Sequence, residues 1–343
     1  MFGLLLIIVA VFVAVFAYFI APDSSPFANR QIVEIGRKKP GQSQLFLLIP
    51  KEKNIVTTGW FAQLISGKED NNRYLPIAGY SIKGDSVIVD KFIDAGVSEK
   101  QGYNIKAIAG NDPVENLVVQ KTYLLGTDNF GRDILSRIII GTRVSLSVGL
   151  IAVIISLSIG VFLGALAGFF RGKTDDIIMW LVNVVWSIPT LLLVFAITLL
   201  LGKGFFQVFI AVGLTMWVNV ARLVRGQVLA VRELEYVEAA RALGFSNGRI
   251  IFRHILPNIA GPVLVIAASN FASAIVIEAG LSFLGVGVQP PQPSWGLMIK
   301  ENYNFIITNN PMLALAPGIA IMLLVLAFNL LGNGLRDALD VKA

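Results

Sequence analysis

Few residues in this chain could do chemistry, and most of them sit in one polar stretch. Cysteine is absent and there is one histidine, His254, which excludes disulfides, thiolate sites and multi-histidine metal sites. His254 has no nucleophile or carboxylate placed to work with it, so its expected role is packing or contact with a partner. Gly172-Lys173-Thr174 ends like a phosphate-binding loop, but that loop needs a glycine five residues earlier and a preceding strand. Residue 167 is alanine inside an apolar run, so no nucleotide site is expected. Glu278 is ionisable and lies within an apolar run, where such groups cost several kcal/mol and face a cavity or a partner. Two readings stay open for it: a wall of a solute path, opposite a substrate amine, or a hydrogen bond between helices.

The polar stretch is residues 238–257, EAARALGFSNGRIIFRHILP. Its first residues, 238–243, are good helix formers, and Gly244 can take a left-handed C-cap. Ser246 can cap a second helix over residues 247–255, which Pro257 stops or hands on to the next. The pattern predicts a helix–glycine–helix elbow between two apolar segments. Ala239, Ala240, Leu243, Ile250 and Ile251 form its apolar face, and Arg241, Arg249 and Arg253 a basic one. Such a knob can pack into a groove on another protein. The plainer alternative is an amphipathic loop joining two spans.

The elbow resembles the EAA loop of ABC-importer permeases. Glu238, Ala239, Ala240, Gly244, Leu256 and Pro257 fall in register with it, while His254 stands where isoleucine is usual and Ile255 follows. The resemblance implies that this loop couples to an ATP-binding subunit. A second stretch, LGTDNFGRDILSRIIIGTRVSLSVGL at residues 125–150, resembles the dipeptide/oligopeptide/nickel branch of these permeases. Gly126, Thr127, Asp128, Gly131, Arg132, Asp133, Ser136, Arg137, Gly141, Arg143, Ser145 and Leu146 match its pattern. Glu278 opens a further family-like run, and the tail FNLLGNGLRDALD is similar to the branch's C-terminus, with Asn333 where aspartate is common. The resemblance covers residues 125–340 well and 1–20 loosely.

The elements that must hold these stretches are membrane helices. Of 343 residues, 55% are hydrophobic and 15% charged, against roughly 25% charged in soluble domains. The net charge of +6 suits a membrane surface, and no basic domain with interleaved aromatics suggests nucleic acid. Residues 2–20 read as an uncleaved first span, with a cleaved signal as the rival. Five further spans are expected at residues 144–170, 177–201, 205–221, 259–286 and 312–331. The second is rich in Gly, Ser and Ala and should pack closely; the third holds Pro189 and the sixth Pro317. Thr127 or Asp128 should cap an amphipathic helix over residues 131–140, lying along the interface ahead of span two. A proline-stiffened loop is expected at residues 290–296.

Residues 21–124 differ in kind, being lysine-rich and water-soluble in character. Strands are expected at 44–49, 80–82, 85–92, 103–108 and 116–123, with a turn at Lys83-Gly84-Asp85 and a short helix within 55–66. No carboxylate pair, triad or phosphate loop stands out there. The insert is expected to be a scaffold, with docking of a partner as the alternative.

The six arginines and three glutamates between 222 and 258 place the elbow inside the cell. Parity then puts both termini inside and the insert outside. The expected architecture is an all-α polytopic membrane protein of six transmembrane helices (residues 125–343 forming the core), with a small, mainly β extracytoplasmic insert between helices 1 and 2. The resemblance implies the type I ABC importer permease, MetI-like, fold and a non-catalytic permease subunit importing di- or oligopeptides. It implies a second homologous permease subunit, two ATP-binding subunits and an extracytoplasmic solute-binding protein as partners in a lipid bilayer, with no nucleic acid, cofactor or metal. Import of nickel or another small solute is the alternative within the family. A membrane-anchored receptor or adhesin acting through the insert is the alternative outside it.

Overall fold

The computed structural model describes residues 1–51, 59–94, 96–109, 113–202, 204–307 and 310–339. In chain order its helices are α1 (Phe2–Val15), α2 (Ala17–Ile20), α3 (Trp60–Ser66), α4 (Ile105–Ala109), α5 (Ile134–Phe170), α6 (Gly172–Trp186) and α7 (Thr190–Leu201). There follow α8 (Phe205–Val231), α9 (Glu235–Ala242), α10 (Asn247–Ile250), α11 (Ala260–Leu284), α12 (Trp295–Asn302) and α13 (Met312–Leu339). The strands are β1 (Gln42–Pro50), β2 (Asn72–Lys83), β3 (Ser86–Asp94), β4 (Val97–Asn104) and β5 (Val118–Tyr123). The chain divides into two compact units, residues 1–11, 144–290 and 319–343, and residues 12–143 and 291–318.

The first unit is helical. Among the described residues, α5, α8, the run from α10 through α11, and α13 are each long and apolar enough to cross a membrane. The expected third span is two helices: α6 and α7 meet at 90°. Pro189 lacks the N–H that a continuous ladder requires and is itself extended, at φ −54° and ψ 123°, so the chain turns there instead of kinking. The fourth span outruns its expected end, and arginines past 221 bond to neighbouring elements of the unit. Arg225 grips Asp175 through two bonds of 2.5 and 2.6 Å, and Arg222 donates to Asn183 at 2.7 Å.

Close packing of α5 rests on Gly160, Gly164 and Gly168, spaced four apart along one ridge. A methyl carbon on Gly164 would lie 2.6 Å from the Ala221 carbonyl, and one on Gly160 2.5 Å from Val220 Cβ. In lipid, where apolar burial drives little, such backbone approach supplies dispersion contacts that larger residues would forbid.

The second unit contains an antiparallel sheet of order β4-β3-β2-β1-β5. Leu47, Leu75, Ile77, Val87 and Val89 alternate inward from its strands and build its core. The expected turn at Lys83-Gly84-Asp85 joins β2 to β3. The strand expected at 103–108 is displaced: β4 ends at Asn104, and Ile105–Ala109 is helical. Apolar residues at 105 and 108 fit a single helical turn as well as a strand, and they pack against the sheet core. Of the short helix expected at 55–66, the part from Trp60 is helical and residues 55–58 lie outside the described residues.

Among the described residues, the helix expected at 131–140 is not separate from α5. The helix begins at Ile134 and runs unbroken to Phe170. Its N-cap is Asp133, whose carboxylate accepts from Ser136 N at 2.9 Å and from the Ser136 hydroxyl. Asp128 instead closes the turn before it, accepting from Phe130 N and Arg132 N at 2.9 and 3.0 Å.

Candidate functional site

The elbow forms as a Schellman turn. Helix α9 ends at Ala242, Gly244 takes φ +77°, Gly244 N donates to Arg241 O at 3.0 Å, and Phe245 N to Ala240 O at 3.2 Å. Only glycine adopts that backbone without strain. Helix α10 restarts at Asn247, and Ser246 precedes it without capping it through its side chain. The helix then widens to π geometry over Ile251–Ile255 and tightens to 3-10 over Leu256–Ile259. Pro257 cannot donate to the ladder, and the altered spacing absorbs the missing bond before α11 starts.

Burial sorts the elbow residues differently from the expected faces. Val237, Ala240, Ile250, Ile251, Ile255 and Ile259 pack on Ala165 and Phe169 of α5 and on Val220, Val224 and Val228 of α8. Ala240, Ile250 and Ile251 therefore fasten the elbow to its own spans, because the turn at Gly244 folds both short helices back onto α5 and α8. Glu238, Ala239, Gly244 and Pro257 are exposed, and Leu256 is half-buried. The outward apolar residues are Tyr236, Leu243, which is 74% exposed, and Phe252, 70% exposed. His254 stacks on Phe245 with ring centres 6.0 Å apart, and the Arg249 guanidinium lies 5.0 Å from the centre of the same Phe245 ring. Arg171 and Glu233 pair at 2.6 Å on the exposed surface beside the start of α9.

A second feature lies among the spans. A cavity of about 430 Å³ is lined by the polar, uncharged side chains Thr190, Thr215, Asn219, Asn270, Ser273 and Asn329 together with the apolar Met216, Ala272, Val276, Ile277 and Val325. They come from α7, α8, α11 and α13. Asn219, Ser273 and Asn329 are exposed, although each sits on a helix apolar enough to span a bilayer. Amides and hydroxyls exposed on such helices need water, a solute or a partner, since lipid cannot hydrogen-bond to them. These residues escaped the sequence reading, which weighed ionisable groups. A signal for them existed in three asparagines within apolar runs, but which ones share a cavity depends on packing.

Glu278 does not line this cavity. It is 1% exposed, and its carboxylate accepts from the Ser282 hydroxyl at 2.6 Å. The same hydroxyl accepts from Val288 N at 3.0 Å, tying the end of α11 to the strand of chain that leaves it.

The stretch from Gly126 to Arg143 acts as a clasp within the second unit. The Thr127 hydroxyl donates to Ile35 O at 2.6 Å and accepts from Lys38 N at 2.9 Å. Gly126 and Gly131, both at positive φ, let Lys38 O and Ile32 O approach closer than any side chain would allow. Arg132 bridges Asp128 at 2.6 Å and Glu301 at 2.7 Å; Arg132 and Asp128 are buried and Glu301 is half-buried. Ser136 Oγ accepts from Asp23 N at 2.8 Å. Burial raises the Asp133 carboxyl above the usual carboxylate range, and the Ser136 bonds offset part of that rise.

A family profile described as "Binding-protein-dependent transport system inner membrane component" matches residues 160–343, more than half of the chain. The chain is 45% identical to the glutathione transport system permease protein GsiD of Pectobacterium atrosepticum over 218 residues, 64% of this chain and 72% of that protein. It is 42% identical to the oligopeptide transport system permease protein OppC of Bacillus subtilis, over 65% of this chain and 72% of that protein. It is 45% identical to a dipeptide transport system permease protein DppC of Alkalihalophilus pseudofirmus, over 63% and 71%. Among solved structures, a chain of the MetNI methionine ABC transporter in an inward-facing conformation aligns with TM-score 0.50 and 18% identity, over 60% of this chain and 97% of that one. That likeness bears on the fold alone.

Proposed function

Since the chain belongs to the family of binding-protein-dependent transport system inner membrane components, we propose that it is one of two permease subunits of an ATP-driven importer of short peptides. Its own part is non-catalytic. Family membership implies ATPase subunits, a solute-binding protein and a second permease. The observation that carries this reading is the elbow, a helix–glycine–helix knob with one face fastened to α5 and α8 and the other bare. Closure of ATPase subunits against the bare face would transmit force to the spans through the fastened one.

The bilayer is crossed six times in this reading, counting α1 with α2 as one span and the bent α6–α7 pair as one. The excess of arginine between 222 and 258 places the elbow and both termini in the cytoplasm and residues 21–124 outside, as a scaffold. Glu238, Ala239, Gly244 and Leu243 meet the ATPase; Ala240, Leu256 and Pro257 hold the elbow's shape. Solute passes along the cavity bearing Asn219, Asn270 and Asn329. Uncharged amides and hydroxyls can bond to a peptide backbone while ignoring side-chain charge, which suits a path whose selectivity is set by a separate binding protein. Glu278 supports that wall from behind.

The peptide reading draws on the substrates named for the relatives above. Its test is ATP hydrolysis by the reconstituted four-subunit complex with its binding protein. Stimulation by di- to pentapeptides and none by nickel or free amino acids is expected. Stimulation by nickel alone would transfer the chain to the small-solute alternative.

A further inference from the structure

We propose that α3, the helix Trp60–Ser66, is a membrane anchor of residues 21–124, seated at the headgroup and acyl-chain boundary beside the end of α2. The helix WFAQLIS bares large apolar residues: Trp60 is 55%, Phe61 73% and Ile65 66% exposed. With Leu64 they cover one side at helical spacing, opposite Ala62 and Ser66. Leu64 is half-buried and Trp60 rests partly on Phe19, whereas Phe61 and Ile65 stay largely uncovered by the unit to which they belong.

Continuity decides the occupant. Phe12, Val15, Phe19 and Ile20 are exposed along α1 and α2, which form an apolar helix of a membrane protein. On the six-span reading proposed above, that surface meets lipid. Trp60 extends it, its ring centre 5.9 Å from that of Phe19 and 4.8 Å from that of Phe61. Aromatic rings concentrate at this depth because one end is apolar and the other tolerates water.

The helix is also fixed and prepared for a low-dielectric setting. Arg143 Nη1 donates to the carbonyls of Leu64 and Ile65 at 3.1 Å each and its guanidinium lies 5.2 Å from the Tyr18 ring. Those carbonyls end the helix and would otherwise need water. Gly67, at φ +81°, brings the chain against Tyr18 and Ser24, and Lys68 N donates to Ser24 O at 2.8 Å. The carbonyl cap thus comes from the N-terminal part of α5, and the backbone latch from Ser24 in the chain that leaves α2. Arg143 thereby acquires a role as the residue that aims α3.

The test uses the absence of native cysteine. Phe61→Cys, Ile65→Cys and, as a water-facing control on β4, Ser98→Cys are each labelled with an environment-sensitive fluorophore. The full chain in its complex is placed in phosphatidylcholine–phosphatidylglycerol nanodiscs. Quenching by a phosphatidylcholine spin-labelled near the head of its acyl chain is compared with quenching by aqueous iodide. Labels at 61 and 65 should be blue-shifted, quenched severalfold more by the spin-labelled lipid than the label at 98, and protected from iodide. Arg143→Gln should reduce lipid quenching at 65 while insertion of the chain persists. Iodide access at 61 and 65 equal to that at 98 overturns the proposal. Shielding of both labels from both quenchers also overturns it, because the seat is then a protein. The readout is independent of which membrane face carries the helix and of the solute transported.

Discussion

Replacing Gly244 tests whether the elbow's shape or its chemistry matters. The residue sits at φ +77° with no atom within 4 Å of where a Cβ would be built, so a side chain meets no clash. Any cost comes from the backbone. An L-residue in the left-handed region costs about 1–2 kcal/mol, asparagine less, and a β-branched residue more. If that cost falls on the docking-competent elbow, its population drops by about 5–30-fold for alanine. Solute-stimulated ATP hydrolysis should therefore fall in the order Gly, Asn, Ala, Val, with normal amounts of inserted protein throughout. The assay is ATP hydrolysis by the reconstituted complex with binding protein and solute, normalised to permease in the membrane. Full stimulation in Gly244→Val would refute the coupling role. Equal loss in Asn, Ala and Val would refute the backbone argument and point to a partner pressed against the glycine itself.

Four further outcomes are expected. Ser98→Cys should react with an impermeant thiol reagent from outside spheroplasts, and Ser246→Cys only after lysis; the reverse pattern inverts the topology. Gly164→Leu should lower the thermal midpoint of the solubilised chain, since overpacking against the Ala221 carbonyl costs about 1–3 kcal/mol or more; an unchanged midpoint would show that α5 and α8 separate easily. The Asp133 carboxyl is raised by burial, so the native state holds its proton more tightly than the unfolded one. Its contribution to stability is full at low pH and is lost as pH rises from about 4, the unfolded value, through the folded one. The stability of Asp133→Asn relative to the natural chain should accordingly improve as pH rises over that window, and a flat difference would contradict the shift. Gln42 and Tyr123 are direct register partners, so residues 43–122 can be excised behind a short glycine linker. A scaffold role predicts poor recovery of the assembled complex, whereas intact assembly with weakened binding-protein affinity would favour docking.

Much of the elbow was legible in sequence because its information is local. Helix formers up to Leu243, a glycine at the one position requiring positive φ, and a proline that breaks a ladder act within a few residues of themselves. Composition likewise determined that the chain is an integral membrane protein, and the Gly, Ser and Ala content of residues 144–170 implied close packing, which the structure realises at Gly160, Gly164 and Gly168. Burial is not local. Ala239 and Ala240 are neighbours of the same type, yet one is bare and the other lies against α8, because the turn at Gly244 and the apolar ends of α5 and α8 select the face. The 90° break at Pro189 and the start of α5 at Ile134 depended on which alternative the surroundings stabilised. Asn219, Asn270 and Asn329, far apart in the chain, share a cavity only because three helices bring them together. Side-chain type and spacing set what each segment could become; the tertiary structure chose which polar groups stayed without protein partners, since only packing removes or leaves access to water.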